Sequence, residues 1–388
     1  MLRTSDLDYD LPAHLIARHP ARPRDSARML VSRTAQPPEH RHVRDLPDFL
    51  RAGDLLVLNT THVLPAWLVA RRVDTGGSAE GLFIHALASE LGESPRWVVF
   101  LRAKHVREGM AFELLRSDRD PTGVILHVER RAESEPGAWV VRVEGVAPGK
   151  IASEILAHVG ETPIPPYIQR ARRDAGEPEH IERDVTDYQT TFADATTDAP
   201  THSSVAAPTA GLHLTPELLQ AIESKGVERA GVVLHVGPGT FKPVETEYVD
   251  DHPIHAEWCL VPKSTGDAVA RAKREGRRVI AVGTTSARTL EAFAGLQDPK
   301  PDEWFETRIL ITPGYRWRWV DGLLTNFHLP KSTLMAMVAA LLPGGTTELR
   351  SLYADAVHAE YRFYSFGDAM LILPGGVKHG PGAGGWSI

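Results

Sequence analysis

The chain has 388 residues, 42% hydrophobic and 24% charged, with a formal net charge of −7 at neutral pH. That length and balance describe an ordinary folded globular protein of two domains, and the acidic excess excludes one whose whole surface grips nucleic acid. A single cysteine, Cys259, excludes an internal disulfide and a cysteine-based metal cluster, and the longest apolar run, Leu334–Leu342, is too short to span a bilayer. A cytoplasmic, reducing setting is the expectation, since MLRTSDLDYD lacks the apolar core of a signal peptide.

Residues 1–62 hold Pro-containing, turn-rich sequence, a helix near Arg44–Arg51 and a short buried strand over Asp54–Asn59. From 65 to 147 the texture changes. Short β-patterned runs stand at Trp67–Val73, Gly81–Ala88, Trp97–Leu101, Met110–Leu115, Val124–Arg130 and Trp139–Val143, divided by glycine, proline and charge. Strands at that spacing predict a small barrel or sandwich. After Pro148-Gly149 helix and strand alternate. The fold class is therefore an α/β main domain (1–62 and 151–388) with a small antiparallel β-barrel domain (63–150) inserted. Segment 171–202 reads as a long polar loop.

The stretch SSVAAPTAGLHLT, 203–215, predicts a buried strand, a turn where Gly211 supplies backbone freedom, and a helix capped by Thr215 with Pro216 and Glu217 behind it. His213 stands just before that helix. Turns of this kind place ligand groups at the carboxyl edge of an α/β sheet, although a capped core turn reads the same way. Strand-like Gly231–Val236 carries His235 into Gly237-Pro238-Gly239, then Thr240 and Lys242. So bare a backbone approaches a ligand closely, or closes a hairpin. RVIAVGTTSARTLE, 278–291, gives a buried strand, a turn at Gly283 and hydroxyls on Thr284, Thr285 and Ser286. These make an anion or ribose site or a plain N-cap, but neither a Walker loop nor a three-glycine dinucleotide fingerprint. In 313–335, Tyr315, Trp317 and Trp319 alternate with Arg316 and Arg318 as in a strand. A polar loop, Asn326 to Ser332, follows with His328 and Lys331, and Ser332 caps an apolar helix. The segment YRFYSFGDAMLI, 361–372, ends in a strand with Asp368 beside Gly367.

With DYDLPAHLIARHPARPRDSARMLV (8–31), LNTTHVLPA (58–66), FLRAKHVREG (100–109), PIPPYIQR (163–170), YQTTF (188–192) and DHPIHAEW (251–258), these segments resemble one family in order. The resemblance spans nearly the whole chain. It is to the S-adenosylmethionine:tRNA ribosyltransferase-isomerases of queuosine biosynthesis. It implies an active site in the cleft between main and inserted domains. It also implies that the ribosyl part of S-adenosylmethionine moves to the aminomethyl group of 7-aminomethyl-7-deazaguanine at the tRNA wobble position. The ribose rearranges, adenine and methionine leave, and epoxyqueuosine-tRNA results. S-adenosylmethionine is then a co-substrate, with no cofactor or metal. The partners are that tRNA and S-adenosylmethionine, with no membrane, and the protein is a monomer or weak oligomer.

The bond changes select residue types. A sulfonium acidifies the adjacent C5′ proton, so a base must stand near it, adenine needs a hydrogen-bond donor to leave, and the attacking amine must be neutral. The catalytic candidates are His213, His235, His255, Glu257 and His328; His255 and Glu257, two apart, share a face if they lie in one strand. A satisfied structural histidine is the rival reading of each. Candidate substrate contacts are Thr209, Gly211, Gly237, Gly239, Thr240, Thr284, Thr285, Ser286, Arg288, Asn326 and Asp368. Arg288 suits the methionine carboxylate or a tRNA phosphate. Candidate RNA contacts are Arg170, Arg172, Arg316 and Lys331. No HExxH or cysteine ligand set points to a metal. The chain departs from the family pattern at His62 and Trp67, where arginines are common, at Ile254 for methionine and at Ser203 for glycine. These departures leave open an S-adenosylmethionine-dependent ribosyl transferase acting on another nucleoside or amine, or a non-catalytic RNA-binding relative.

Overall fold

The structure, a computed structural model, describes residues 1–34, 36–88, 93–116, 118–133, 135–147, 149–197, 204–237 and 243–375. The chain lays down β1 (Arg28–Arg33), β2 (Glu39–His42), α1 (Leu46–Phe49) and β3 (Leu55–Asn59). It then leaves for a second sheet: β4 (Trp67–Arg72), β5 (Ser78–Ala86), β6 (Arg96–Arg102), β7 (Ala111–Leu115), β8 (Pro121–Arg131) and β9 (Trp139–Glu144). The six pair antiparallel in the order β4-β5-β6-β9-β8-β7 and close where β4 pairs β7. Alternation drives the closure. In β8, Val124, Leu126 and Val128 point inward and pack with Leu68, Phe83, Trp97 and Phe112. A closed sheet has no free edge to cover.

Next come α2 (Ala152–Val159) and β10 (Gly160–Glu161), which stay with the barrel: Ile155 and Leu156 join its core, and β10 pairs β4. The helices α3 (Pro166–Asp174), α4 (Asp184–Asp187) and α5 (Pro216–Ser224) lead back to β11 (Glu228–Leu234) and β12 (Glu257–Leu260). The remainder is α6 (Lys263–Arg274), β13 (Val279–Val282), α7 (Gly283–Ala294), β14 (Trp304–Thr307), β15 (Gly322–Asn326), α8 (Thr333–Leu341), α9 (Gly345–His358) and β16 (Ala369–Leu373).

The main sheet runs β14-β12-β11-β3-β13-β15-β16-β1-β2. Its centre, β11-β3-β13-β15, is parallel, and β3, β13 and β15 are buried along their whole length. Strands covered on both faces read as unbroken apolar runs. Leu55 and Val57 face the core of α6–α9, while Leu56 and Leu58 face α1 and α5. The four parallel strands end at one edge, at Leu234, Asn59, Val282 and Asn326, and β16 begins there because Ala369 registers with Asn326. The fold is thus an α/β main domain with a small antiparallel barrel. Among the described residues no helix is long and apolar enough to cross a membrane.

Four local expectations are corrected. The described residues 204–206 form no strand: Ser204 makes a single bridge to Val63, Val236 N donates to its hydroxyl at 3.0 Å, and Thr209–His213 coils into a 3-10 turn. Thr215 does cap α5, accepting from Leu218 N at 3.2 Å. Gly211 is needed for room rather than for an unusual φ, since a Cβ there would lie 2.7 Å from Phe192. Tyr315–Trp319 is not a strand. The buried Glu291 carboxylate takes the N–H groups of Arg318, Trp319 and Val320 at 2.8, 2.8 and 2.9 Å, leaving these donors none for a ladder. The 171–202 segment is not all loop either: it holds the end of α3, α4 and the 3-10 turn Ala195–Thr197.

A Cβ on Gly160 would sit 1.7 Å from the Pro65 carbonyl oxygen, a backbone atom that cannot retreat like a side-chain tip. Gly160→Ala is expected to cost about 1–3 kcal/mol, read as a lower urea midpoint at constant m-value. An unchanged midpoint would mean that the β10–β4 pair shifts freely.

Candidate active site

Two cavities lie side by side over the carboxyl edge of the parallel strands and share Leu334 of α8. The larger, about 60 Å³ of enclosed space, is walled by Tyr167, Thr209, Thr284, Thr285, Thr325, Asn326, His328, Tyr364 and Ser365, with Ala207, Val236 and Phe327. The smaller, about 40 Å³ of enclosed space, is walled by His252, His255, Glu257 and Arg288, with Ile254, Ile309, Ile311 and Met337.

In the larger cavity Asn326, at the end of β15, ties three segments together. Its Oδ1 accepts from Thr209 Oγ1 at 3.0 Å and its Nδ2 donates to the Tyr364 carbonyl at 3.1 Å. Tyr364 holds φ at +72°, a strained backbone for a bulky residue and a frequent mark of functional sites. Tyr167 on α3 reaches across to Ser365, hydroxyl to hydroxyl at 2.5 Å. His328 Nε2 lies 2.9 Å from Thr325 Oγ1, and the His328 N–H donates to Tyr353 Oη at 2.9 Å. Burial pushes the His328 pKa down to about 3, so its imidazole is neutral near neutral pH. Thr285 Oγ1 is buried in the wall without a hydrogen-bond partner among the described residues. A native buried hydroxyl in that state calls for a ligand or water to complete it.

In the smaller cavity Glu257 opens β12 and Arg288 stands on α7. Arg288 Nη1 donates directly to Glu257 Oε2, and their side chains are 11% and 6% exposed. His255 lies just outside β12, so it shares this cavity with Glu257 but no strand face. Its Nδ1 is 3.8 Å from Glu135 Oε1, beyond β8, so the contact joins the barrel to the main sheet.

The other sequence candidates stand elsewhere. Both ring nitrogens of His213 face carbonyls, Ala210 O at 3.1 Å and Gly367 O at 2.8 Å, and burial lowers its pKa. It lines neither cavity and braces two turns. His235 stacks on Trp304 at 4.8 Å with Nδ1 3.0 Å from Thr61 Oγ1, outside both walls. Ser286 gives its hydroxyl to Val282 O at 2.8 Å. Asp368 lines neither cavity and accepts from Arg28 N at 3.1 Å, Arg362 N at 2.8 Å and Arg362 Nη2 at 3.1 Å. Gly211 packs under Phe192, Gly237 lines neither wall, and Gly239, Thr240 and Ser203 lie outside the described residues.

Of the basic candidates, Arg170 and Arg316 are exposed and Lys331 pairs with Asp8 at 2.8 Å. Arg172 is corrected outright. It is wholly buried and grips Asp184 with two bonds of 2.8 and 2.7 Å, so no external ligand touches it. Trp67, one of the departures, lies with its ring 5.6 Å from that of His180. Sequence reasoning missed Tyr167, His252, Thr325, Tyr364 and Ser365. All five sit inside segments already singled out, Tyr167 in PIPPYIQR, His252 in DHPIHAEW, Thr325 in 313–335, and Tyr364 and Ser365 in YRFYSFGDAMLI, which was the available signal. Among the described residues no group of three or more His, Cys, Asp or Glu is placed to hold a metal ion.

A family model described as "Queuosine biosynthesis protein" matches residues 4–372. The S-adenosylmethionine:tRNA ribosyltransferase-isomerase of Maricaulis maris is 45% identical over 377 residues, covering 96% of this chain and 99% of that protein. The protein of that name from Erythrobacter litoralis is 43% identical, covering 97% and 99%. The crystal structure of an S-adenosylmethionine tRNA ribosyltransferase from Thermotoga maritima aligns with a TM-score of 0.50 at 32% identity, over 95% of this chain and 100% of that one. An α/β sheet with polar cavities at its carboxyl edge defines a ligand-binding enzyme class. Within it, the chain belongs to the queuosine biosynthesis protein family, as a transferase-isomerase.

Arg172→Ala is expected to lose about 3–5 kcal/mol of stability by stranding Asp184. A melting temperature equal to wild type would refute the structural role. His328 gives a pH prediction. Its pKa drops from 6.5 in the unfolded chain to about 3 when folded, so between these values the unfolded chain holds the extra proton and acid destabilises. His328→Gln is expected to flatten the fall of melting temperature below pH 6.5; an unaltered slope would locate the acid sensitivity elsewhere.

Proposed function

We propose that the enzyme transfers and isomerises the ribosyl moiety of S-adenosylmethionine onto 7-aminomethyl-7-deazaguanine at the wobble position of tRNA. Epoxyqueuosine-tRNA forms, and adenine and methionine are released. The names of its relatives support S-adenosylmethionine and tRNA as substrates. The observation that carries the reading is the adjoining pair of cavities, one rich in hydroxyl, amide and tyrosine groups, the other holding an ion pair. Together they match a nucleoside joined to an amino acid. S-adenosylmethionine is consumed as a co-substrate, with no resident cofactor.

In this reading the nucleoside lies in the larger cavity, where Thr285 and Thr284 meet its hydroxyls. His328, kept neutral by burial, offers the reacting ribose a fixed hydrogen-bonding nitrogen rather than a charge. His255, half-buried beside Glu135 of the inserted barrel, exchanges the proton of the attacking amine with solvent. The tRNA approaches from the main domain, with exposed Arg170 and Arg316 available to phosphates.

Purified protein incubated with S-adenosylmethionine and precursor-bearing tRNA is expected to release adenine and methionine together and to yield a nucleoside of epoxyqueuosine mass. Turnover with another amine but not this tRNA would establish the altered-substrate transferase. Absence of S-adenosylmethionine binding would establish the non-catalytic relative. Thr285→Val, which removes the partnerless hydroxyl at constant shape, is expected to hold or raise the melting temperature. It should also cut kcat/KM for S-adenosylmethionine roughly tenfold. Unchanged kinetics would take Thr285 out of the site.

A further inference from the structure

We infer that the Glu257–Arg288 ion pair is a clamp for the zwitterionic α-amino-acid end of the ligand, with Arg288 taking its carboxylate and Glu257 its ammonium. The inference rests on the function proposed above and adds how the smaller cavity recognises its half of the substrate. Three observations carry it. The pair forms part of a cavity wall instead of being packed into the core. A buried ion pair is weak support for stability, since apolar residues of like volume usually do as well. Here the two charges are fixed side by side in the polarity an amino acid requires.

The rest of the wall is apolar on one part, with Ile254, Ile309, Ile311 and Met337, and polar on another, with His252 and His255. Low polarity nearby strengthens each charge toward an incoming partner. The contact with Glu257 uses Nη1 of Arg288, and a guanidinium carries five donors, so a carboxylate can be taken on another edge as the pair opens.

Helix α7 sets the spacing. Thr284 and Thr285 wall the larger cavity, and Arg288 follows four and three residues on, so the three share one face. That is about 4.5–6 Å of rise, the reach from a ribose to the carboxylate of a thioether amino acid attached to it. Leu334, common to both cavities, lies where the sulfur would pass.

Calorimetric titration with two unreactive probes tests this. S-adenosylhomocysteine carries the amino-acid end; 5′-methylthioadenosine lacks it. Wild type is expected to prefer the former roughly tenfold or more. Arg288→Met should erase the preference and leave methylthioadenosine binding as it was. Glu257→Gln should weaken only the probe with an ammonium. If Arg288→Met fails to fold because Glu257 is stranded, the double variant with Glu257→Gln removes both charges and gives the same readout. Equal binding of both probes by wild type, or a parallel loss of both in the variants, overturns the clamp and leaves the proposed function standing. Binding of neither probe by wild type overturns the proposed function and the clamp together.

Discussion

Everything at the site hangs on four parallel strands stopping at one edge, and two buried asparagines hold that edge. Asn59 ends β3; its side chain donates to Leu234 O at 3.0 Å and accepts from Leu234 N at 3.2 Å and Thr61 N at 3.1 Å. Asn326 ends β15 and ties the 209 and 364 turns. An amide carries a donor and an acceptor in a fixed plane, so it can replace the ladder partner that a strand loses where it stops. With the ends pinned, every following loop begins from the same line. Cavity-wall groups from Thr209, Thr284 and Asn326, and from Glu257 in the adjoining cavity, are then brought close although they are far apart in sequence.

Buried polar groups here fall into two kinds, told apart by what their partners are. Asp368, Glu291 and the Arg172–Asp184 pair spend their lone pairs and donors on backbone and side chains of the protein. Removing any of them leaves costly orphans, so their role is to bolt turns in place. Thr285 and the Glu257–Arg288 pair stand in cavity walls. Strain at Tyr364 belongs with the second kind: its φ is held by the Asn326 and Gly367 contacts around its carbonyl, and the ring remains on the cavity wall.

The barrel contributes to the site through its boundary with the main sheet. Closure satisfies its own strands, and α2 and β10 seal it after the last barrel strand. Its reach to the cavities runs through Glu135 and His255.

Periodicity by itself determined the six barrel strands, the unbroken apolar runs of β3 and β13, and the caps Thr215 and Ser332, because each depends on neighbours a few residues away. The same reasoning gave a strand at Tyr315–Trp319, since alternation also arises when aromatic residues pack beside a buried carboxylate. Of the candidates drawn from the ordered segments, Thr209, Thr284, Thr285, His255, Arg288, Asn326, Glu257 and His328 reach a cavity wall. What only the tertiary structure decided was direction. Arg170 and Arg172 lie two apart on α3, on nearly opposite helix faces, and nothing in the sequence says which is buried. His213 and His328 look alike as letters, yet one is spent on a carbonyl 154 residues away while the other borders a cavity. Local sequence fixes which elements form; the contacts between distant elements fix which side chains remain to meet a ligand.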